Sequence, residues 1–500
     1  MSKNTKTWLF CLLISFLFLM IGTKSSFLYP FNEWMDANCF FTIGKGMLSG
    51  KVPYLDLFDQ KGPLLFFYHM IAALFSYTSF LGVFIIEVIS FSFFLYYFYQ
   101  TCHLYVKRTI CIGMLPIISF LTLALPAFSH GDSAEEFCLP FLMYSIFSLL
   151  RFLKSKAKYP SYSMLFINGI MAGLVFTIKY SMIGFWFGFM FSIFLLIIHK
   201  KEYKRAFLSC LIFLGGMFLP ILPWLLYFLY HSALTEFIDG YFLFNIKYYA
   251  AHISPILKFF MIFTKPIRFF IKNLGIGLPI FFGFFYFIFT NKMMMKRKWI
   301  PCLCFFFLCM GVFGGGVSFR YYYLILIPFT VFGFIGMGLL LQKEKFPLLS
   351  KYKELMGLLL ITFCFCFTFY GSPNTYLLEK GAVKEDFVQY KFAKIINKQK
   401  NPIILNYGFL DGGFYTASGL LPTTKYFQKN NISDRLFPEM MKEQNDMIRN
   451  KKVDFVITRE NIYTHKKYFN PYLEQNYKKI RSVQKMYEEK PFRYTLWGKK

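Results

Sequence analysis

The chain has 500 residues, of which 56% are hydrophobic and only 16% charged, against about 25% charged in soluble domains. With 70 Phe and 35 Tyr, that balance excludes a disordered chain, a coiled coil and a nucleic-acid-binding globule, and predicts a polytopic α-helical membrane protein. The formal net charge of +29 suits a polyanionic partner on its face, so the placement of the lysines has to decide its meaning.

In chain order, apolar runs of about the 20 residues that a bilayer core requires lie near 8–27, 79–100, 109–129, 137–153, 161–178, 181–199, 206–230, 274–291, 299–317, 321–341 and 355–372, eleven in all. The first starts with Lys3 and Lys6 and offers no small-residue cleavage site at residues 22–26, so it reads as an uncleaved anchor. The run 63–77 is too short to span. If it stays on the outer face, Lys107/Arg108, Lys154/Lys156/Lys158, Lys200/Lys201/Lys204/Arg205, Lys292/Lys296/Arg297/Lys298 and Lys343/Lys345/Lys351/Lys353 all fall in cytoplasmic loops, as the positive-inside rule demands. If it crosses, every later loop flips and the rule fails throughout. The N-terminus is therefore expected inside and the chain after residue 373 outside, in the cell membrane. The basic loops then face membrane lipids, with no nucleic-acid partner.

This reading gives a transmembrane domain of residues 1–372, with an outer loop 28–78 carrying interfacial helices, and a small extracytoplasmic α/β domain of residues 373–500. Segments 402–407 and 453–458 are strand-like, and 405–408 with 411–415 reads as strand, turn, strand. Most of the eleven cysteines lie inside apolar runs, and no CxxC pair lies in a polar loop, so there is no zinc or thiol-redox signal.

The first outer loop holds the densest chemistry. Trp34, Phe40, Ile43, Met47 and Leu48 recur at helical spacing, with Asn38, Thr42, Lys45 and Ser49 on the other face, which suits a helix in the interface plane. Asp36 heads the apolar stripe, where it suits a general base or simply caps the helix. Pro63 is a natural first helical residue. Lys61 beside that helix N-terminus would make a phosphate site, or would snorkel to the headgroups.

Asp36 in an outer helix followed by Gly50-Lys51-Val52-Pro53-Tyr54-Leu55-Asp56-Leu57-Phe58-Asp59-Gln60-Lys61-Gly62-Pro63-Leu64 resembles the GT-C superfamily of glycosyltransferases. The nearer likeness is to the branch of protein O-mannosyltransferases and lipid A aminoarabinose transferases, glycosyltransferase family 39. The match covers residues 30–67, with weaker echoes at 131–140, 320–328 and in the tail. Many members pair the Asp with an adjacent Glu, where this chain has Ala37 and Asn38. The resemblance implies a polyprenyl-phosphate-linked sugar donor and an acceptor bound outside, an envelope glycan, lipid or protein. It implies Asp36 as the base on the acceptor hydroxyl and Lys61 on the donor phosphate, with inversion at the anomeric carbon.

Further candidates flank the spans. His130-Gly131-Asp132-Ser133-Ala134-Glu135-Glu136 puts three acids and a His at a membrane surface. These could position the acceptor or hold a cation, although Ser133-x-x-Glu136 is also a capping box, which would leave Asp132 or Glu135 for catalysis. Arg320, Tyr321 and Tyr322 could grip a phosphate and stack on sugar, or form an interfacial aromatic belt. Lys179 in a short outer turn is a further phosphate candidate. No cofactor is implied, no metal ligand set stands out, and a divalent cation is left open. The competing functions are an envelope-precursor transporter or flippase, and an O-antigen-type polymerase. Transporters place ionisable residues at mid-membrane, whereas here Glu87 is the clear acid deep in a span.

Overall fold

The computed structural model describes residues 2–155, 157–249, 253–290, 297–343, 352–464, 470–488 and 490–500. Each of the eleven apolar runs contains a helix, as expected where hydrocarbon leaves the backbone no other hydrogen-bond partner. The first nine helices discussed below are α1 (Lys3–Gly22), α2 (Met35–Leu48), α3 (Pro63–Ala73), α4 (Leu81–His103), α5 (Arg108–Leu123), α6 (Ala134–Lys154), α7 (Tyr162–Lys179), α8 (Gly184–Ile198) and α9 (Tyr203–Tyr230). Apolar helices follow at Pro255–Lys272, Leu274–Phe289, Trp299–Phe313, Val331–Leu341 and Lys353–Gly371.

Among the described residues seven helical stretches are long and apolar enough to cross a membrane, or eight if Pro255–Lys272 and Leu274–Phe289, bent by 119°, form one span. Two expected spans, α7 and α8, join through a 3-10 turn, Tyr180–Ile183, into one stretch of 37 residues. Helices α5 and Trp299–Phe313 are apolar but shorter. The chain is a multi-pass membrane protein with an added sheet. At 11 residues, α3 is too short to cross, and Pro63 opens it. Of the lysines used to orient the loops, Lys156, Lys292, Lys296, Lys345 and Lys351 lie outside the described residues.

The chain divides into two compact units. The first comprises Met1–Thr23, Ile86–Leu226 and Ala251–Tyr376, and the second Lys24–Ile85, Tyr227–Ala250 and Leu377–Lys500. The second unit holds the sheet, built from β1 (Ile404–Tyr407), β2 (Phe455–Asn461), β3 (Tyr477–Tyr487) and β4 (Lys490–Lys499) in the order β1-β2-β4-β3. Strands β1 and β2 run parallel with Ile404 opposite Phe455, and the remaining pairs are antiparallel. Leu405, Tyr407, Ile448, Val456 and Tyr477 form its core.

The two strand-like tail segments are β1 and β2. The reading of 411–415 as a second strand is corrected: Phe414–Ser418 is a short helix. Asp411 Oδ1 accepts the Gly413 amide at 2.8 Å, and Gly413 is left-handed at φ 84°, so the chain turns into a helix instead of pairing. A side chain at Gly413 would also meet Phe31 Cζ at 2.5 Å.

Candidate functional site

In the second unit the candidate residues converge on α2 and the loop before α3. Asp36 sits in the first turn of α2, where the helix dipole favours a carboxylate. Met35 and residues 37–46 are buried, whereas Asp36 keeps partial exposure. The expected polar face is corrected: Asn38, Thr42 and Lys45 are all buried, because Asn38 donates to the Asn32 and Trp34 carbonyls and the tail supplies partners to Thr42 and Lys45. Thr42 Oγ1 donates to Asp411 Oδ2 at 2.6 Å, and Lys45 Nζ donates to the Tyr415 carbonyl at 3.3 Å.

The loop entering α3 is fixed from several sides. The Lys61 amide donates to Asp59 Oδ1 at 3.0 Å, and Tyr54 Oη donates to the Lys61 carbonyl at 2.5 Å. Lys61 is itself buried, its ammonium 5.7 Å from the centre of the Phe40 ring. Asn245 Nδ2 donates to the Gln60 carbonyl at 2.9 Å, and Phe58 packs with Phe244, Ile432 and Met440. At the helix N-terminus expected to face a phosphate, the amide of Leu65 donates to the Gly62 carbonyl at 3.2 Å.

A network that no sequence signal announced supports this loop. Gln428 Nε2 donates to Asp59 Oδ2 at 3.0 Å, and Gln428 Oε1 accepts from the Asp411 amide at 3.1 Å and from the Cys39 thiol. Burial pushes the Asp59 carboxyl up; the Lys61 charge opposes this and the like charge of Asp36 reinforces it. Asp36, Asp59 and Lys61 therefore share one electrostatic neighbourhood. Burial also raises the Asp411 carboxyl, against hydrogen bonds from Thr42 and the Gly413 amide, and pulls the Lys45 ammonium down to about 8 against the charge of Asp411. The Cys39 thiol is raised well above its usual range by burial and by Asp59, Asp411 and Asp36. It is not a reactive thiolate.

In the first unit the remaining candidates form two groups. Glu135 and Lys179 make a buried ion pair, and the Lys179 ammonium lies 3.4 Å from the centre of the Tyr322 ring and 5.7 Å from that of Tyr321. Only half of the expected capping box forms: the Ser133 hydroxyl accepts the Glu136 amide at 3.1 Å, but the Glu136 side chain does not return to the Ser133 amide. Its carboxylate reaches back to the Asp132 amide at 2.9 Å, an amide that also lies 2.8 Å from Glu87 Oε1. The Thr23 hydroxyl is 2.9 Å from the same Glu87 oxygen. This packing requires glycine at position 131, where φ is 83° and a Cβ would sit 2.1 Å from Thr23 Oγ1. His130 joins through its carbonyl, 3.3 Å from Thr23 Oγ1. Arg320 opens a 3-10 helix, Arg320–Thr330, and is exposed. Among the described residues, no group of three or more His, Cys, Asp or Glu is placed to hold a metal ion.

No curated protein matches the chain by sequence. Among solved structures, ArnT from Cupriavidus metallidurans bound to undecaprenyl phosphate superposes with a TM-score of 0.59 at 10% identity, covering 99% of this chain and 98% of that one. The same protein in the apo state gives 0.59 at 10% identity, over 97% and 96%. The chain therefore shares the fold of that solved structure. The family model described as "Putative competence-induced protein Ccs4 N-terminal domain" matches residues 1–348, and the chain belongs to that family.

Proposed function

We propose that the protein is a membrane glycosyltransferase that moves a sugar from a polyprenyl-phosphate-linked donor to an envelope acceptor on the outer face. The observation that carries this reading is Lys61, its amide held by Asp59 at 3.0 Å and its ammonium 5.7 Å from the centre of the ring of Phe40, one turn along the helix from Asp36. It is supported by a fold shared with a protein crystallised with undecaprenyl phosphate. In the reaction, the acceptor hydroxyl oxygen forms a bond to the anomeric carbon as the bond to the phosphate oxygen breaks. The electron pair leaves with the polyprenyl phosphate, whose charge Lys61 stabilises. The hydroxyl proton passes to Asp36. A single displacement inverts the anomeric centre.

Asp59 acts as a positioning residue, since its carboxylate holds the Lys61 amide. The transporter reading draws no added support from Glu87, which accepts hydrogen bonds from Thr23 and the Asp132 amide of its own unit. The test is a screen of purified protein with polyprenyl-phosphate sugars carrying different labelled glycosyl groups. At least one should lose its sugar to an envelope acceptor fraction and leave free polyprenyl phosphate. Turnover of none, with lipid-linked cargo instead crossing vesicles, would replace the transferase by the transporter. The orientation, with N-terminus inside and tail outside, predicts that a reporter fused after Gly371 is active only outside.

A further inference from the structure

The tail part of the second unit carries a cleft of 760 Å³, within the range of about 300–1,000 Å³ typical of ligand sites. Its walls come from the end of β1, the segment 429–435, β2 and the start of β4. Four cationic side chains line it, Lys429, Arg435, Arg459 and Lys490, against one carboxylate, Asp434. Lys429 and Asp434 neutralise each other at 3.0 Å. Elsewhere in this unit Lys24–Glu33, Lys485–Glu33, Lys394–Glu385, Arg449–Asp446 and Arg493–Glu460 are ion pairs. Among the described residues no ion pair involves Arg435, Arg459 or Lys490, although they share one cleft.

Arg459 is also pre-set. Its guanidinium lies 4.6 Å from the centre of the Phe492 ring and 5.0 Å from that of Phe409, and its Nη1 donates to Met35 Sδ at 3.2 Å. A planar guanidinium held between rings loses little freedom on gripping an anion. Asn431, Asn461 and Thr464 add amide and hydroxyl groups to the same walls, which suits a ligand rich in hydroxyls. The concavity favours a chain that can enter over a flat lipid surface.

We propose that this cleft binds an anionic glycan, phosphate- or carboxylate-bearing; resting on the transferase reading, it is the acceptor's subsite. The test uses full-length protein in nanodiscs of uncharged lipid, with fluorescent poly(glycerol phosphate) and polygalacturonate as probes. At least one should bind, neutral dextran should not, and affinity should fall steeply with salt. Arg435→Gln with Lys490→Gln, both exposed positions, should weaken binding about ten-fold or more with an unchanged melting temperature. Arg459→Gln should do the same if the pre-set guanidinium is the grip.

Unchanged binding in all these variants overturns the proposal. So does polyglutamate binding as tightly as the glycans, which would point to a peptide. So does displacement of the probe by phosphatidylglycerol vesicles, which would point to lipid headgroups. The assay needs no turnover. Charge-dependent glycan binding without sugar transfer would sink the transferase reading and keep the cleft. Sugar transfer with unaltered probe binding in the variants would do the reverse.

Discussion

The loop 130–136 and the loop 36–61 carry similar numbers of acids, yet the protein uses them differently. In the first unit, Glu135 is matched by Lys179, and Glu87 and Glu136 converge on the Asp132 amide. Those carboxylates hold a buried turn and an ion pair. In the second unit, Asp36 keeps partial exposure on an otherwise buried stretch of helix, and the surrounding network secures the loop that presents Lys61. Acid density therefore marks a site poorly. What distinguishes the two loops is exposure: Asp132, Glu135 and Glu136, with Glu87 beside them, are buried, whereas Asp36 is partly exposed.

The sharpest way to break this contrast is at Lys61. Lys61→Ala should lower kcat/KM for the lipid-linked donor by about 10³-fold, the scale of removing one partner of a buried charge contact, with partial rescue by Lys61→Arg. Wild-type kinetics in Lys61→Ala would move the phosphate grip elsewhere, with Lys179 and Arg320 next in line. Glu135→Gln leaves the Lys179 ammonium buried without its carboxylate and should cost about 3–5 kcal/mol, read as a lowered melting temperature. Adding Lys179→Met should restore most of it. A double variant that is stable but inactive would place Glu135 or Lys179 in the site and erase the contrast.

Gln428→Leu removes hydrogen bonds to Asp59 and Asp411 and should cost about 1–3 kcal/mol. Because the loop is loosened and not stripped of charge, the donor KM should rise several-fold while kcat changes little. The last effect appears only with pH and concerns Lys45, whose ammonium is lowered to about 8 from 10.5. Between those values the unfolded chain binds more protons than the native one, so stability should rise with pH across the window. The gain is at most about 3 kcal/mol. Denaturation of Lys45→Met should lack that slope.

How much of this was legible follows from sequence distance. The helix carrying Asp36, the proline opening α3 and the Lys61 loop are local patterns, and each is where the periodicity and turn residues put it. The Ser133 cap on the Glu136 amide is likewise a three-residue signal. Gln428 and Asp411, by contrast, meet Asp59 and Thr42 across 369 positions, and no local rule connects them. The buried state of Lys45 was unreadable for the same reason: an amphipathic helix shows its polar face without showing what covers it. Strands β3 and β4 escaped because β3 is an exposed edge rich in Lys and Arg, a composition that protects an edge from pairing and blurs its alternation.

The account's central claim is that the second unit's Asp36 takes the acceptor proton. The most direct measurement is single-turnover transfer by Asp36→Asn at saturating donor, alongside donor affinity. The variant keeps the side chain's size and removes its basicity. The account predicts a fall of about 10²-fold or more with donor affinity nearly unchanged. Transfer at the wild-type rate by folded, donor-loaded Asp36→Asn would contradict it and hand the proton to Glu135 or Asp132.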